Sequence, residues 1–151
     1  MRLTALPASE FYRRVVFCFL TGNGDAHVRN FAMLRDATHT VSLAPAYDLL
    51  NTQLHLPTES DMALSLRDRE RDGHFSAAYD RFGFHTAGDF LDLAEAIGVR
   101  TSAANEITEH LCSDQALHQI VNLVDRSFLS VSSQRQYMAI VEERRAKLLA
   151  R

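Results

Sequence analysis

Lysine is almost missing from this sequence: of 16 lysines and arginines only Lys147 is a lysine, and it stands four residues from the C-terminus. Chemistry that needs an ammonium group earlier in the chain must therefore find it elsewhere. Cysteine is scarce too, with Cys18 and Cys112 alone. Neither lies in a CxxC or Cys/His spacing and both fall inside apolar helical patterns, so they read as small hydrophobes in a reducing compartment rather than as a disulfide framework. Long apolar runs are missing as well. The longest, Val15 to Leu20, is far short of the roughly 20 residues that a membrane-spanning helix needs, and the N-terminus shows no signal-peptide pattern. The expectation is a cytoplasmic protein with no membrane partner. Nor is there an excess of basic charge: the net value of −3 argues against autonomous, non-specific binding to nucleic acid, and no direct nucleic-acid partner is expected.

What remains is the composition of an ordinary folded domain. The chain is 46% hydrophobic and 23% charged over 151 residues, values near the averages for globular proteins. At this size folding removes about 68–70% of the surface that the unfolded chain exposes, enough for one domain with a proper core.

The spacing of apolar residues predicts a mainly α protein with one small β-hairpin. Ser9 is placed to cap a helix whose apolar positions Phe11, Val15, Cys18 and Phe19 recur at intervals of three and four, with Gly22 ending it. Phe11, Phe17, Phe19 and Phe31 are expected in the core. Residues 21–27 then form a loop. The short apolar runs 31–34 and 40–43 flank 35–39 as a hairpin, closed by Pro45. From about Asn51 to Asp80 the pattern is irregular and reads as a long surface loop with one short element at Met62 to Leu66. Within it the run Arg67 to Asp72 alternates in sign, as a solvated segment does. Thr86 and Asp89 form a capping box for a helix over Phe90–Ile97, with Gly98 at its C-terminus. Ser102 starts a second helix through Ile107, Leu111, Leu117, Val121 and Val124. Ser133 starts a third through Tyr137, Ile140, Val141, Arg144 and Leu148, where Arg144 and Arg145 offset the helix dipole.

The chemistry-bearing segment is Gly22-Asn23-Gly24-Asp25-Ala26-His27-Val28-Arg29-Asn30-Phe31, followed by Pro45-Ala46-Tyr47-Asp48-Leu49-Leu50. Asp25 and Asn30 have the Asp-x4-Asn spacing of a kinase catalytic loop. There the Asp orients the attacking hydroxyl and accepts its proton, and the Asn carbonyl holds magnesium. Asp48 lies across the predicted hairpin from Asn30. Because a hairpin returns its two ends to one place, Asp48 is positioned to share a metal with Asn30. Hard magnesium takes oxygen ligands, one or two carboxylates with phosphates and water completing the shell. A zinc site built from His27 and His39 lacks the three or four convergent ligands such sites use. His27 is instead expected behind the loop, ordering it by a hydrogen bond. Arg29 is left without a role.

The paired segments resemble the HipA toxins, whose C-terminal lobes carry a Gly-Asn-x-Asp-x-His-x-(Lys/Arg)-Asn-Phe segment followed by Leu-(Ala/Thr)-Pro-x-Tyr-Asp-x-(Leu/Ile). The similarity continues into Met62-Ala63-Leu64-Ser65-Leu66 and the helical C-terminus, so that residues 1–151 as a whole resemble the C-terminal lobe of a protein-kinase-like, HipA-like fold. The resemblance implies a serine/threonine kinase of a toxin–antitoxin system, with ATP as phosphate donor and Mg2+ or Mn2+ as cofactor. It implies Asp25 as catalytic base and Asn30 and Asp48 as metal ligands. The partners it implies are a HipB-like antitoxin and a protein substrate such as an aminoacyl-tRNA synthetase. Asp48 stands in Tyr-Asp-Leu rather than in Asp-Phe-Gly, so activation-loop control of the common kind does not carry over.

A kinase also needs a glycine-rich loop over the phosphates and a lysine paired with them, both normally ahead of the catalytic loop. Gly22 and Gly24 begin a GxG, but His27 stands where the third glycine would, and the lone lysine lies at the far end. The nucleotide-holding N-terminal lobe is thus expected to be absent from the chain, which is either expressed apart from that lobe or left by truncation of a longer gene. Two other classes remain: a non-catalytic module that binds an antitoxin or a separate lobe, and a metal-dependent hydrolase built on Asp25, His27 and Asp48.

Overall fold

The computed structural model describes residues 5–67, 70 and 73–150. Helix α1, Ala5–Leu20, runs through the centre of the molecule and packs against four other elements. It begins ahead of Ser9, which therefore lies within the helix and does not cap it. Pro7 does not prevent this, because the first four N–H groups of a helix have no intrahelical acceptor and proline gives up only such an orphan. The strands β1, Met33–Arg35, and β2, Val41–Leu43, form the antiparallel hairpin, with Met33 opposite Leu43 and Arg35 opposite Val41. Its turn is built on Asp36, whose Oδ1 accepts from the N–H groups of Thr38 and Thr40 at 2.8 and 2.9 Å.

The helical remainder consists of α2, Ala77–Phe82; α3, Ala87–Ala96; α4, Thr101–Leu111; α5, Asp114–Asp125; and α6, Val131–Leu149. The capping box of α3 is present, with Thr86 N–H donating to Asp89 Oδ2 at 2.8 Å, and Gly98 takes the left-handed conformation just past its end. The single helix expected from Ser102 is two. α4 starts at Thr101 and stops at Cys112, and Ser113 caps α5 by accepting from Ala116 N–H at 3.1 Å. In α6 the cap is Ser130, which accepts from Ser133 N–H at 3.2 Å, so Ser133 is inside the helix rather than at its start. α2 was not expected; Ser76 caps it and Gly83 closes it in a left-handed turn.

The core gathers Tyr12, Val15, Val16, Phe19 and Leu20 of α1 with Phe90 and Ala94 of α3, Ala104 and Ile107 of α4, and Val141 and Leu148 of α6. Phe19 and Phe90 meet edge to face with ring centroids 5.0 Å apart. Phe11 and Phe31 are half-buried and pack on this core together, 4.8 Å apart. Tyr12 is fully buried and its hydroxyl is paired with Thr108 Oγ1 at 2.9 Å. Cys18 and Cys112 are free and buried, and burial pushes both thiols up to about 11.

Between residues 44 and 76 the described residues form no α-helix or β-strand, so the element expected at Met62 to Leu66 does not form. The stretch is nonetheless no simple surface loop, because Met62 and Leu66 are buried in the core. Of the run Arg67 to Asp72, Arg67 is paired with Asp92 at 2.7 Å. Glu70 is buried, accepting from Leu66 N–H at 2.7 Å, which departs from a fully solvated run. Asp68, Arg69, Arg71 and Asp72 lie outside the described residues.

Arg144 departs furthest from its sequence reading. It is 1% exposed, its Nη2 meets Asp61 Oδ1 at 2.6 Å and Gln53 Oε1 at 2.9 Å, and its guanidinium lies 4.7 Å over the Phe19 ring. Nearby His85 and Asp89 are both buried. His85 Nδ1 is 3.9 Å from Asp89 Oδ2, too far for a hydrogen bond. Burial holds the imidazole below its ordinary pKa, against the pull of Glu70, Asp89 and Asp61 and with the help of Arg144. No helix among the described residues is long and apolar enough to cross a membrane.

Candidate functional site

The site begins where α1 stops. Asn23 N–H reaches back to Cys18 C=O at 2.8 Å and Gly22 N–H to Phe19 C=O at 3.1 Å, the two bonds of a Schellman motif, with Gly22 at the left-handed position, φ 71°. Both glycines here are required by close approach. A Cβ on Gly22 would lie 2.7 Å from Ile140 Cγ2 of α6, and one on Gly24 would lie 2.5 Å from the carbonyl oxygen of Ser60. The turn that leads into Asp25 is thus wedged between α6 and the 59–60 segment.

Polar side chains hold that turn. Gly24 N–H donates to Thr52 Oγ1 at 2.9 Å, and the Thr52 hydroxyl in turn donates to Glu59 Oε2. Gln53 N–H donates to Gly22 C=O at 3.1 Å. Asn23, itself 3% exposed, spans the site: its Nδ2 donates to Asp48 C=O at 3.0 Å and its Oδ1 accepts from Asp25 N–H at 3.2 Å. Asp25 follows at the surface with its carboxylate exposed.

A short 3-10 turn, Val28–Asn30, carries the chain onward. His27 N–H donates both to Asp25 C=O at 2.7 Å and to Asn30 Oδ1 at 3.0 Å. The histidine therefore orders the loop through its backbone. Its ring is half-buried and its Nδ1 is a buried atom with no hydrogen-bond partner among the described residues, so the side-chain bond expected from the sequence is not made. Arg29 is exposed, and its backbone carbonyl accepts from the Tyr47 hydroxyl.

The hairpin closes as its two flanks continue to pair beyond the strands. Ala44 N–H donates to Ala32 C=O at 2.8 Å, Tyr47 reaches Arg29, and Asn30 Nδ2 donates to Asp48 Oδ2 at 2.7 Å. Asn30 is 8% exposed and Asp48 is at the surface. Asp48 has a φ of 57°, a left-handed conformation uncommon for a residue with a Cβ and held here by the bond from Asn23 to its carbonyl. Two residues far apart in sequence are thereby placed side by side.

The oxygens gathered are hard donors. No hydrogen bond among the described residues engages Asp48 Oδ1, and Asn30 Oδ1, which accepts one N–H, retains a second lone pair. Asn30 turns its amide nitrogen to Asp48 and its Oδ1 to His27 N–H, so the two side chains offer hard oxygens of the kind magnesium or manganese takes, with phosphate and water needed for most of the shell. Among the described residues no group of three or more His, Cys, Asp or Glu side chains converges as a metal site. His39 sits in the hairpin turn with φ 64°, and neither a His27–His39 zinc centre nor a metal cluster of Asp25, His27 and Asp48 is assembled.

Sequence reasoning did not single out Thr52, Gln53, Glu59 and Asp61. The available signal was the density of hydrogen-bonding side chains at Asn51-Thr52-Gln53, directly after the Tyr-Asp segment, in a stretch without periodicity.

Comparison with known proteins places this geometry in a family context. The family described as HipA-like C-terminal domain matches residues 3–119. A Haemophilus influenzae protein named "Putative kinase" is 28% identical over 127 residues, covering 80% of this chain and 36% of that protein. Two Sinorhizobium fredii proteins are similar over shorter stretches: "Putative kinase Y4dM", 44% identical over 57 residues, 38% of this chain and 14% of that protein, and "Putative kinase Y4mE", 34% identical over 71 residues, 45% of this chain and 17% of that protein. The chain thus spans only about a third or less of the length of these relatives.

Proposed function

The chain belongs to the family of HipA-like C-terminal domains, and from that premise we propose that it is the catalytic lobe of a serine/threonine protein kinase, passing the γ-phosphoryl group of ATP to a protein hydroxyl. The observation that carries this reading is the pairing of Asn30 with Asp48 at 2.7 Å across the hairpin, on the loop that exposes Asp25. In phosphoryl transfer little covalent work falls to the protein, and catalysis is positioning together with stabilisation of spread negative charge. Asp25 orients the acceptor hydroxyl and takes its proton. Asn30 Oδ1 and the Asp48 carboxylate hold Mg2+ or Mn2+, which neutralises charge on the phosphates. His27, through its backbone N–H, fixes both the Asp25 carbonyl and the Asn30 amide.

The rest of the nucleotide must be held from outside these residues. Lys147, the lone lysine, is engaged by Glu143 at 2.6 Å and Asp61 at 3.6 Å and stands over the Phe84 ring. A nucleotide-holding lobe, in the same polypeptide or in a partner, supplies the glycine-rich loop and the lysine. The kinase works in the cytoplasm as the toxin of a toxin–antitoxin pair, with a HipB-like antitoxin as partner and an aminoacyl-tRNA synthetase as substrate.

A second reading is a module that binds such a lobe without catalysis. It is favoured by the apolar side chains exposed around the site, Leu34, Tyr47, Leu49, Leu50 and Leu56, which exceed what a solvent-facing loop needs. Incubating the chain alone, the chain mixed with a HipA-like N-terminal lobe, and a covalent fusion of the two with labelled ATP, magnesium and candidate synthetases separates the readings. A fusion raises the effective concentration of the lobe to roughly millimolar and gives the stronger signal. Transfer by the fusion and not by the chain alone is expected. A folded fusion that binds ATP and transfers nothing favours the module.

A further inference from the structure

We infer that Arg144 of α6 is a positioning residue for Asp25, acting through the 52–61 segment that cradles the catalytic turn. The inference rests on the kinase reading above but concerns a residue beyond the part of the chain that the family match covers, residues 3–119.

The connection alternates hydrogen bonds with single peptide links. Arg144 Nη2 holds Gln53 Oε1 at 2.9 Å and Asp61 Oδ1 at 2.6 Å, so one guanidinium ties down two points of a stretch that has no helix or strand of its own. At or beside those points lie the groups that touch the turn. Gln53 N–H meets Gly22 C=O at 3.1 Å, Thr52 Oγ1 takes Gly24 N–H at 2.9 Å, and the Ser60 carbonyl is so close to Gly24 that a Cβ there would stand 2.5 Å from it. Gly24 is the residue before Asp25. From α6 to the catalytic carboxylate the path therefore runs Arg144, Gln53 and Thr52, Gly24, Asp25, with Asp61 fixing the far end of the same segment.

Helix stability does not account for this arginine. The dipole of α6 would be served equally by an arginine in solvent, whereas Arg144 is 1% exposed and lies over Phe19 in the core. Burying a guanidinium is costly unless it is paired and hydrogen-bonded. Here its partners are the two side chains that set the position of the cradle. Both bonds leave from Nη2, while Nη1 is buried with no partner among the described residues; that one nitrogen is placed by the guanidinium plane lying over Phe19, which a lysine ammonium lacks.

The test uses Arg144→Met and Arg144→Lys together with Thr52→Val, which interrupts the same path at a half-buried link outside the core, and Thr52→Ser, which leaves that link in place. In the 151-residue chain, amide hydrogen exchange at Gly24 is expected to be about 10-fold faster or more in Arg144→Met and Thr52→Val, the size expected when one hydrogen bond worth about 1.4 kcal/mol is lost. Thr52→Ser keeps a hydroxyl and should exchange like the parent, and Arg144→Lys should fall between parent and Met. Exchange at Val15 and Val16 should be unmoved in both Thr52 variants. In the fusion with a nucleotide-holding lobe, kcat should fall by about 10- to 100-fold in Arg144→Met and Thr52→Val with KM for ATP within about 3-fold, since a displacement of about 1 Å in a reacting group has a cost of that order. Parental protection of Gly24 and parental kcat in these variants would reduce Arg144 to a core residue and overturn the inference. If Arg144→Met does not fold, Gln53→Leu, which removes the side-chain bond to Arg144 and keeps the Gln53 N–H, decides in its place, and parental Gly24 exchange there overturns the inference. Failure of the unmutated fusion to transfer phosphate would instead overturn the kinase reading and the catalytic role of Arg144 with it, while the Gly24 exchange would still show whether the clamp exists.

Discussion

The helical body and the face that carries Asp25, Asn30 and Asp48 are stabilised by different physics. In the body, α1, α3, α4 and α6 bury one another's apolar stripes, and side chains such as Phe19, Phe90, Val15 and Val141 are wholly removed from water. On the face, residues 21–61 contain only a pair of three-residue strands and one 3-10 turn, and shape comes from individual polar bonds: Asn23 to Asp48, Gly24 to Thr52, Asn30 to Asp48. The body is redundant, since many contacts share the load. The face is sparser, because its shape rests on a small set of individual bonds, and those bonds hold a few atoms in one place.

The comparison can be broken most sharply in the body. Phe19→Ala removes a fully buried ring that contacts both Phe90 and the Arg144 guanidinium, and should destabilise folding by about 3–5 kcal/mol in a denaturant titration. A loss under about 1 kcal/mol would mean the core is not where the packing places it. Next in size, Asp25→Asn on the face should lower kcat of the lobe-completed enzyme by at least about 10²-fold. Because Asp25 is exposed, the thermal midpoint should hardly change. Collapse of folding in that variant would show the face and body to be one unit.

Smaller effects sharpen the contrast. Tyr12→Phe keeps the ring and removes the buried bond to Thr108, with an expected loss of about 1 kcal/mol. Ser113→Ala removes the cap of α5 at a similar cost of about 1 kcal/mol, read as a lower unfolding midpoint. The smallest is a pH effect. His85 is held below its ordinary pKa by burial, so the unfolded chain takes up the proton first as pH falls. The stability tied to neutral His85 is complete above the ordinary value of about 6.5 and is lost as pH drops through that value toward the lower folded one. His85→Gln should therefore lose less stability than the parent between pH 7.5 and 5.5, measured by thermal unfolding; an identical pH profile would remove His85 as the cause.

What could be read from the sequence follows the same division. Helical periodicity is local, so α1, α3 and α6 were legible, as was the capping box at Thr86 and Asp89. Their ends were less so, because Pro7 fits a first helical turn, and Ser113 and Ser130 compete with other serines and threonines as caps. The break between α4 and α5 was hidden because the apolar spacing from Ile107 to Leu117 continues across it. On the face, the proximity of Asn30 and Asp48 followed from the hairpin alone. The polar cradle did not: Thr52, Gln53 and Asp61 act on partners such as Gly24 and Arg144 that lie far off in sequence, and no periodic signal marks such pairings. Arg144 was misread for the same reason, since a helix-terminal arginine and a buried clamp are identical in a one-dimensional pattern.

The central claim is that Asn30 and Asp48 form one cation site when nucleotide is present, and paramagnetic broadening tests it most directly. Mn2+ titrated into the isotope-labelled, lobe-completed protein with ATP should broaden the resonances of Asn30 and Asp48 first, and Asp48→Asn should raise the Mn2+ concentration needed, because a neutral amide is a weaker ligand for a hard cation than a carboxylate. Broadening that spares both residues up to millimolar Mn2+, or that is unchanged in Asp48→Asn, would contradict it.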